Sequence, residues 1–382
     1  MAEGEPEVVG REEELAILMG LARAPERLPR AILLEGEAGI GKTTLWQRAV
    51  EAARSSYRVL AARPAEPEAP ISFAAVADLL DGVLEETLEE LPDPQRRALE
   101  VALLIADAQG PPPEQSAIAF AFLGCLRTLV QEGPVLVAVD DVQWLDADSA
   151  VVLQYATRRL QAEPVALLVA LRPNGRSSVP LELDRALGDD RLERVRLGPL
   201  SLGALHRMLL ERLGSTFPRP TMRRIHEIAN GNPFYALELA RAIRRQGAVA
   251  GDVPLPPTLD QLVAERIEAL PAQTRTVLLV AAALGDATVA AIEEAELVAE
   301  PLDALDEAVA AQLVEVHAGR VRFTHPLLAA AIDAHAGEVE RRAVHSRLAE
   351  LARTAEERAR HLALSASAPS AELAAALDDG AR

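Results

Sequence analysis

Short, β-branched apolar runs alternate along this chain with stretches whose apolar residues recur every three or four positions. That alternation predicts a parallel sheet crossed by helices. The runs fall at 30–35, 58–62, 135–140, 165–171 and 192–197, and a long helical insertion, about 65–130, separates the second from the third. Within it Phe73, Val76, Ala77, Leu80, Val83 and Leu84 keep an i, i+3, i+4, i+7 spacing, and a proline-rich break at 110–113 precedes a further helix over about 114–130. Past the fifth run the pattern is helical from 201 to about 245. The Gly- and Pro-rich stretch 247–257 reads as a linker. Helices resume at 258, and two short runs, 313–317 and 320–324, joined through Ala318 and Gly319, read as a hairpin. The expected organisation is therefore a sheet domain over 1–199, a helical domain over 200–247 and a winged-helix-like domain over 255–336. A helical segment over 337–382 follows, with no closing cap, as if a repeat region begins there.

Composition narrows the chemistry. Aromatic residues are only 3% of the 382, so the cores must be built from Leu, Val, Ile and Ala, which suits helices and buried parallel strands. The net charge of −19 repels phosphate backbones and anionic lipid, so neither direct DNA binding nor membrane binding is expected of this stretch. The arginines of 241–245 read as a solvated helix face. One cysteine, Cys125, in an apolar run excludes a disulfide framework. The acidic first residues lack the basic region of a secretory signal, and no run reaches the ~18 apolar residues of a membrane span. A cytoplasmic location is the expectation. Lys and Arg together number 39, yet the only lysine is Lys42.

That lysine sits in Gly36-Glu37-Ala38-Gly39-Ile40-Gly41-Lys42-Thr43, which matches G-x-x-x-x-G-K-[ST] between an apolar strand and a helix through Leu45, Trp46 and Ala49. Glycines let backbone N–H groups close on phosphates, and the helix that starts here turns its positive end to the same anion. Lys42 is expected to reach the β- and γ-phosphates of ATP, and the Thr43 hydroxyl to ligate Mg²⁺, with Thr44 beside it. A planar guanidinium does not fit so narrow a loop, which accounts for the solitary lysine. The fold class is then an α/β P-loop NTPase with ATP/ADP and Mg²⁺ as cofactors. The run ending in Asp140-Asp141 falls where a doubly wound sheet places its ligand groups. Asp140 is the candidate to hold the metal and Asp141 to orient or deprotonate the attacking water. Taken alone, a strand ending in Asp also satisfies an ordinary turn.

Taken in order, Val9-Gly10-Arg11-Glu12, the phosphate loop, Asp140-Asp141-Val142-Gln143-Trp144-Leu145-Asp146, Leu171-Arg172-Pro173 and Asn230-Gly231-Asn232-Pro233-Phe234 resemble the STAND class of AAA-related ATPases. More narrowly they resemble the ATPase region of the large ATP-binding regulators of the LuxR type. The resemblance runs through essentially the whole chain and takes in Arg322-Phe323-Thr324-His325-Pro326-Leu327-Leu328. It implies a slowly hydrolysing nucleotide switch that couples ATP/ADP state to conformation and to ATP-dependent self-association. In that class Val9, Gly10 and Arg11 would line the adenine pocket and Arg172 would sense the γ-phosphate. Pro233 would sit against the base, and His325 would contact the β-phosphate in a closed ADP state.

Read without the resemblance, these residues keep plainer alternatives. Arg172 at a strand end is ordinarily a surface residue, Asn232-Pro233 is a good helix start, and His325 before Pro326 suits capping or packing. Trp144 is expected to pack under the metal strand. Regulators of this type also carry a helical-repeat sensor and a C-terminal helix-turn-helix, and neither is recognised in these residues. The expectation is a truncated product of such a gene or a stand-alone ATPase, with DNA reached only through a helix-turn-helix beyond this stretch. Two rivals come from other classes: a small-molecule phosphotransferase with the insertion as lid, and a DNA-binding winged helix. The recognition-helix candidate for the second, 302–312, carries Asp303, Asp306 and Glu307 and no basic residue.

Overall fold

The structure, a computed structural model, describes residues 8–23, 25, 30–107, 111–160, 163–173, 180–188, 190–245, 259–366 and 371–380. The expected linker, 247–257, lies outside them. The chain divides into two compact units, Met1–Leu237 and Glu238–Arg382.

In the first unit the apolar runs form one parallel sheet. Its strands are β1 (Arg30–Glu35), β2 (Arg58–Ala62), β3 (Val135–Val139), β4 (Val165–Leu171) and β5 (Leu192–Arg196), in the order β2-β3-β4-β1-β5. Alternate residues of each strand feed opposite faces, as the two-residue period of a strand requires. Leu33, Val137, Val139, Leu167 and Val169 enter the core on one side, while Ile32, Leu34, Leu136, Ala138 and Leu168 enter the core on the other. Because both faces are covered, the strands read as continuous apolar runs rather than alternating ones. One face is covered by α1 (Glu12–Arg23) and α2 (Lys42–Ala53), with Leu18, Leu21, Leu45 and Trp46 buried. The Trp46 indole donates to the Leu168 carbonyl at 3.4 Å and ties α2 to β4.

The other face carries the insertion: α3 (Ala74–Leu80), α4 (Leu84–Glu89), α5 (Asp93–Ala102) and α6 (Gln115–Leu129), together with α7 (Ala147–Thr157). Phe122 of α6 is fully buried there. The periodic pattern 73–84 is not one helix. Phe73 lies outside α3 at φ 61, and Gly82, at φ +75, turns the chain between α3 and α4. The apolar side chains keep their spacing because both short helices face the same core. Two strands also stop one residue short of the sequence expectation. Asp140 still donates its N–H to the Ala62 carbonyl at 3.0 Å, so it extends the ladder of β3 without belonging to it. A short helix, α8 (Leu183–Leu187), leads into β5, and α9 (Leu202–Leu213) and α10 (Arg219–Ala229) follow. The next helix, α11 (Pro233–Arg245), begins in this unit.

The second unit contains α12 (Leu259–Glu268), α13 (Ala272–Leu284), α14 (Val289–Glu294) and α15 (Pro301–Ala310). In α13, Val277 through Ala283 are all buried, so it is the central helix of this unit. The expected hairpin is present as β7 (Val314–His317) and β8 (Arg320–Phe323), turning through Ala318 at φ 50 and Gly319 at φ 78. Sequence patterning missed a two-residue strand, β6 (Ala287–Thr288), which pairs antiparallel with β8. Helices α16 (Pro326–His335), α17 (Glu338–Leu351), α18 (Ala355–Ser365) and α19 (Ala371–Gly380) complete the described chain. Among the described residues no helix is long and apolar enough to cross a membrane.

Candidate functional site

The strand order decides which chain segments can meet. With β4 between β1 and β3, the loop after β1, the turn after β4 and the acid pair after β3 lie side by side at one edge of the sheet. These segments are 36–41, 172–173 and 140–141. Open α/β sheets place ligands at this edge.

The loop 36–41 is held from outside. Five consecutive carbonyls, from Glu37 to Gly41, accept hydrogen bonds from protein donors. The Glu37 carbonyl accepts from Lys42 Nζ at 3.0 Å, and the Ala38 carbonyl from Asn232 Nδ2 at 2.9 Å. Those of Gly39 and Gly41 accept from the main-chain N–H groups of Phe234 and Leu45, each at 3.3 Å. The Ile40 carbonyl accepts from Arg11 Nη2, also at 3.3 Å. With its acceptors drawn into the protein, the loop keeps N–H donors for an anion, the arrangement that a phosphate nest requires. Gly39 and Gly41 adopt φ +77 and +105, where a side chain is strained. A Cβ on Gly39 would come within 2.9 Å of Asn232 Oδ1, whereas one on Gly41 would meet nothing within 4 Å. One glycine admits a neighbour, and the other borders open space. Helix α2 starts at Lys42 without a side-chain cap, which leaves its first-turn donors to a ligand.

Lys42 is only 6% exposed. Burial pulls its pKa below the ordinary lysine value, opposed by the charges of Asp141 and Asp140 and aided by Arg172. All three residues therefore lie close enough for their fields to be felt at one ammonium. Asp140 is buried at 2% exposure, and its pKa is raised to about 6, first by burial and then by the neighbouring Asp141 charge. Arg63, the Thr43 hydroxyl and Lys42 act against that rise by favouring the charged carboxylate, and Arg63 Nε lies 3.7 Å from Oδ2. A hydroxyl near a buried carboxylate, beside a loop that offers N–H groups to an anion, is an oxygen donor set that fits Mg²⁺. Arg63, at the end of β2, was not picked out from the sequence.

Asp141 follows in the left-handed region, at φ 44 and ψ 50, and its carboxylate accepts from Gln143 Nε2 at 2.9 Å. The Arg172 side chain is exposed, while its main-chain N–H donates to Gln143 Oε1 at 3.0 Å. Asp146 closes the turn. Its buried carboxylate accepts from the N–H groups of Phe73, Ala75 and Ser149, so it caps α3 and α7 together. Trp144 is half-buried in the short 3-10 turn after Asp141.

The flanking residues are placed as follows. Val9 is buried, and Gly10 takes φ +71. Arg11 is buried with its guanidinium already committed to the carbonyls of Ile40 and Gly198 and to Glu14. In the loop itself Ile40 is buried, and Glu37, Ala38 and Thr44 are not. Pro233 begins α11, where Asn232 Oδ1 accepts from Tyr235 N at 3.2 Å and caps the helix. Asn232, which the sequence marked only as part of a helix start, thus serves helix and loop at once through its amide. His325 lies in the second unit immediately before α16, its carbonyl accepting from Leu328 N at 3.0 Å. Among the described residues no cluster of three or more His, Cys, Asp or Glu side chains is arranged to hold a metal.

Residues 7–169 match the sequence model of the AAA ATPase domain family. This part of the chain is a P-loop ATPase region, the kind of domain that binds nucleotide. No curated protein sequence matches the chain. Among solved structures, a signal transduction ATPase with numerous domains (STAND), with a tetratricopeptide repeat sensor, from Pyrococcus horikoshii is similar at a TM-score of 0.56 and 14% identity. The match covers 99% of this chain and 52% of that one, so this chain spans about half its length. That likeness extends the shared fold through both units. The Aeropyrum pernix ORC1 protein, solved in complex with DNA, matches with TM-score 0.42 and 17% identity over 86% of this chain and 94% of its own. A Walker-type ATPase of Pyrococcus abyssi matches with TM-score 0.42 and 15% identity over 86% and 99%.

Proposed function

We propose that the first unit binds ATP or ADP with Mg²⁺ at this sheet edge and that the bound nucleotide acts as a slow conformational switch. The observation that carries the reading is the loop whose five carbonyls from Glu37 to Gly41 are engaged by protein donors, set around the chain's solitary, buried lysine.

In this reading Lys42 meets the β- and γ-phosphates, and the loop amides with the start of α2 hold the rest of the chain of phosphates. Thr43 and Asp140 would hold Mg²⁺, whose charge offsets that of the phosphate oxygens. Asp141 orients the attacking water and takes its proton. Arg172 answers to the presence of the γ-phosphate. Val9 and Gly10 flank the base with Pro233, while Arg11 keeps the loop in shape from beneath. His325, in the second unit, would meet the β-phosphate in the ADP state.

The finer reading is the switch module of a LuxR-type transcriptional regulator, with 200–247 as helical lid and 255–336 as winged-helix-like domain. It is supported by the order of motifs from Val9 to Leu328, with the STAND-protein fold as its framework. To move two states from 1:99 to 99:1, a nucleotide must discriminate between them by about 5.5 kcal/mol. Contacts of a γ-phosphate with Lys42, Arg172 and the metal are the source of that difference. Sedimentation and turnover measured together test this. The expected result is a nucleotide-dependent change in shape or self-association, with turnover well below the ~10 s⁻¹ median of enzymes. Identical sedimentation with ATP and ADP, or turnover above that median, contradicts the switch.

A further inference from the structure

One side chain at the sheet edge is committed on both sides. Gln143 Nε2 donates to Asp141 Oδ1 at 2.9 Å, and Gln143 Oε1 accepts from the Arg172 main-chain N–H at 3.0 Å. A carboxylate only accepts and a main-chain N–H only donates, so the amide has one orientation that serves both. Asp141 itself stands in the left-handed region, where a non-glycine residue is held only if its surroundings fix it. Two hydrogen bonds therefore connect the candidate base, at the end of β3, to the residue at the end of β4.

We infer that Gln143 is a positioning residue that keeps the Asp141 carboxylate in register with the Arg172 segment, so that a change at Arg172 is felt at the base. The inference rests on the proposed nucleotide site and adds to it the part that joins phosphate sensing to water activation. Glutamate at this position would retain the acceptor for Arg172 but lose the donor to Asp141 and set two carboxylates together. Methionine would fill the same volume with neither. Both changes leave the loop 36–41 and its five carbonyl contacts untouched.

The test is a double-mutant cycle with Gln143→Met, Asp141→Asn and the pair. Single-turnover hydrolysis, Mg·ADP and Mg·ATP affinities by calorimetry and the thermal midpoint are read for each. Gln143→Met is expected to slow hydrolysis roughly 10- to 100-fold, the scale on which misplaced reacting groups act. Its Mg·ADP affinity should stay within about twofold of wild type, the ATP-over-ADP affinity ratio should narrow at least threefold, and the midpoint should hold. Added to Asp141→Asn, the same change should cost less than about twofold, because the group it positions is gone. Gln143→Glu should lose hydrolysis to a similar extent, which covers the case in which the methionine variant folds poorly. Unchanged hydrolysis with an unchanged affinity ratio overturns the inference. So does full multiplication of the two effects, or parallel losses of ADP affinity and thermal midpoint. A wild-type chain that takes up no Mg·nucleotide in the first titration brings down the underlying site, and this inference with it, before any variant is compared.

Discussion

The phosphate loop and the acid turn lie at the same sheet edge but are built by opposite means. In the loop, donors from Arg11, Lys42, Asn232 and Phe234 converge on main-chain carbonyls. In the turn, acceptors on Asp141, Gln143 and Asp146 converge on N–H groups. The difference follows from what each segment has to present. A cradle for anions must show N–H groups, so its carbonyls are taken up by the protein. A strand end that is to hold a metal, as proposed for Asp140, must show carboxylate oxygen, so the scaffolding falls to the residues that follow it, and Asp146 anchors the insertion while doing so.

The largest effect is expected where the turn is anchored. Asp146→Ala leaves the N–H groups of Phe73, Ala75 and Ser149 without their acceptor in a buried setting. At about 1–3 kcal/mol for each orphaned group, partly relieved by water, the loss should be about 3–5 kcal/mol, read as a drop in the urea midpoint. A loss under ~1 kcal/mol would mean that the turn is held by its strand alone. A smaller effect is expected on the loop side. Asn232→Ala removes the donor to Ala38 and the cap of α11, and a lost cap costs about 1 kcal/mol. Nucleotide affinity should weaken by about 5- to 10-fold, since ~1.4 kcal/mol is tenfold. An unchanged affinity would show that the loop keeps its shape without this clasp, and the contrast between the two segments would lose one side.

Much of this was legible in the chain itself. The five strands announced themselves because strands buried on both faces leave unbroken runs such as Val135–Val139 and Val165–Leu171. The loop between β1 and α2 was legible because the candidate phosphate motif from Gly36 to Thr43 is one contiguous phrase. What stayed hidden depends on pairings between distant positions. Arg11 and Ile40 are 29 residues apart, and Asn232 and Ala38 are 194 apart, so no local pattern marks either clasp. The break at Gly82 was masked because α3 and α4 bury the same core face and so preserve one spacing. In the same way β6 is too short for any period to register, and the side-chain amide of Gln143 has no signature until the order of the strands is known.

The central claim is that a lone ammonium inside a cage of main-chain amides takes up an adenine nucleotide with its metal. Isothermal titration of Mg·ATP and Mg·ADP into the wild-type chain and Lys42→Ala tests it directly. The account predicts saturable, magnesium-dependent heat for the wild type and, for the variant, a loss of affinity of at least ~100-fold, about 2.7 kcal/mol, with the circular dichroism spectrum retained. No heat from folded wild type, or equal affinity in the variant, would contradict it.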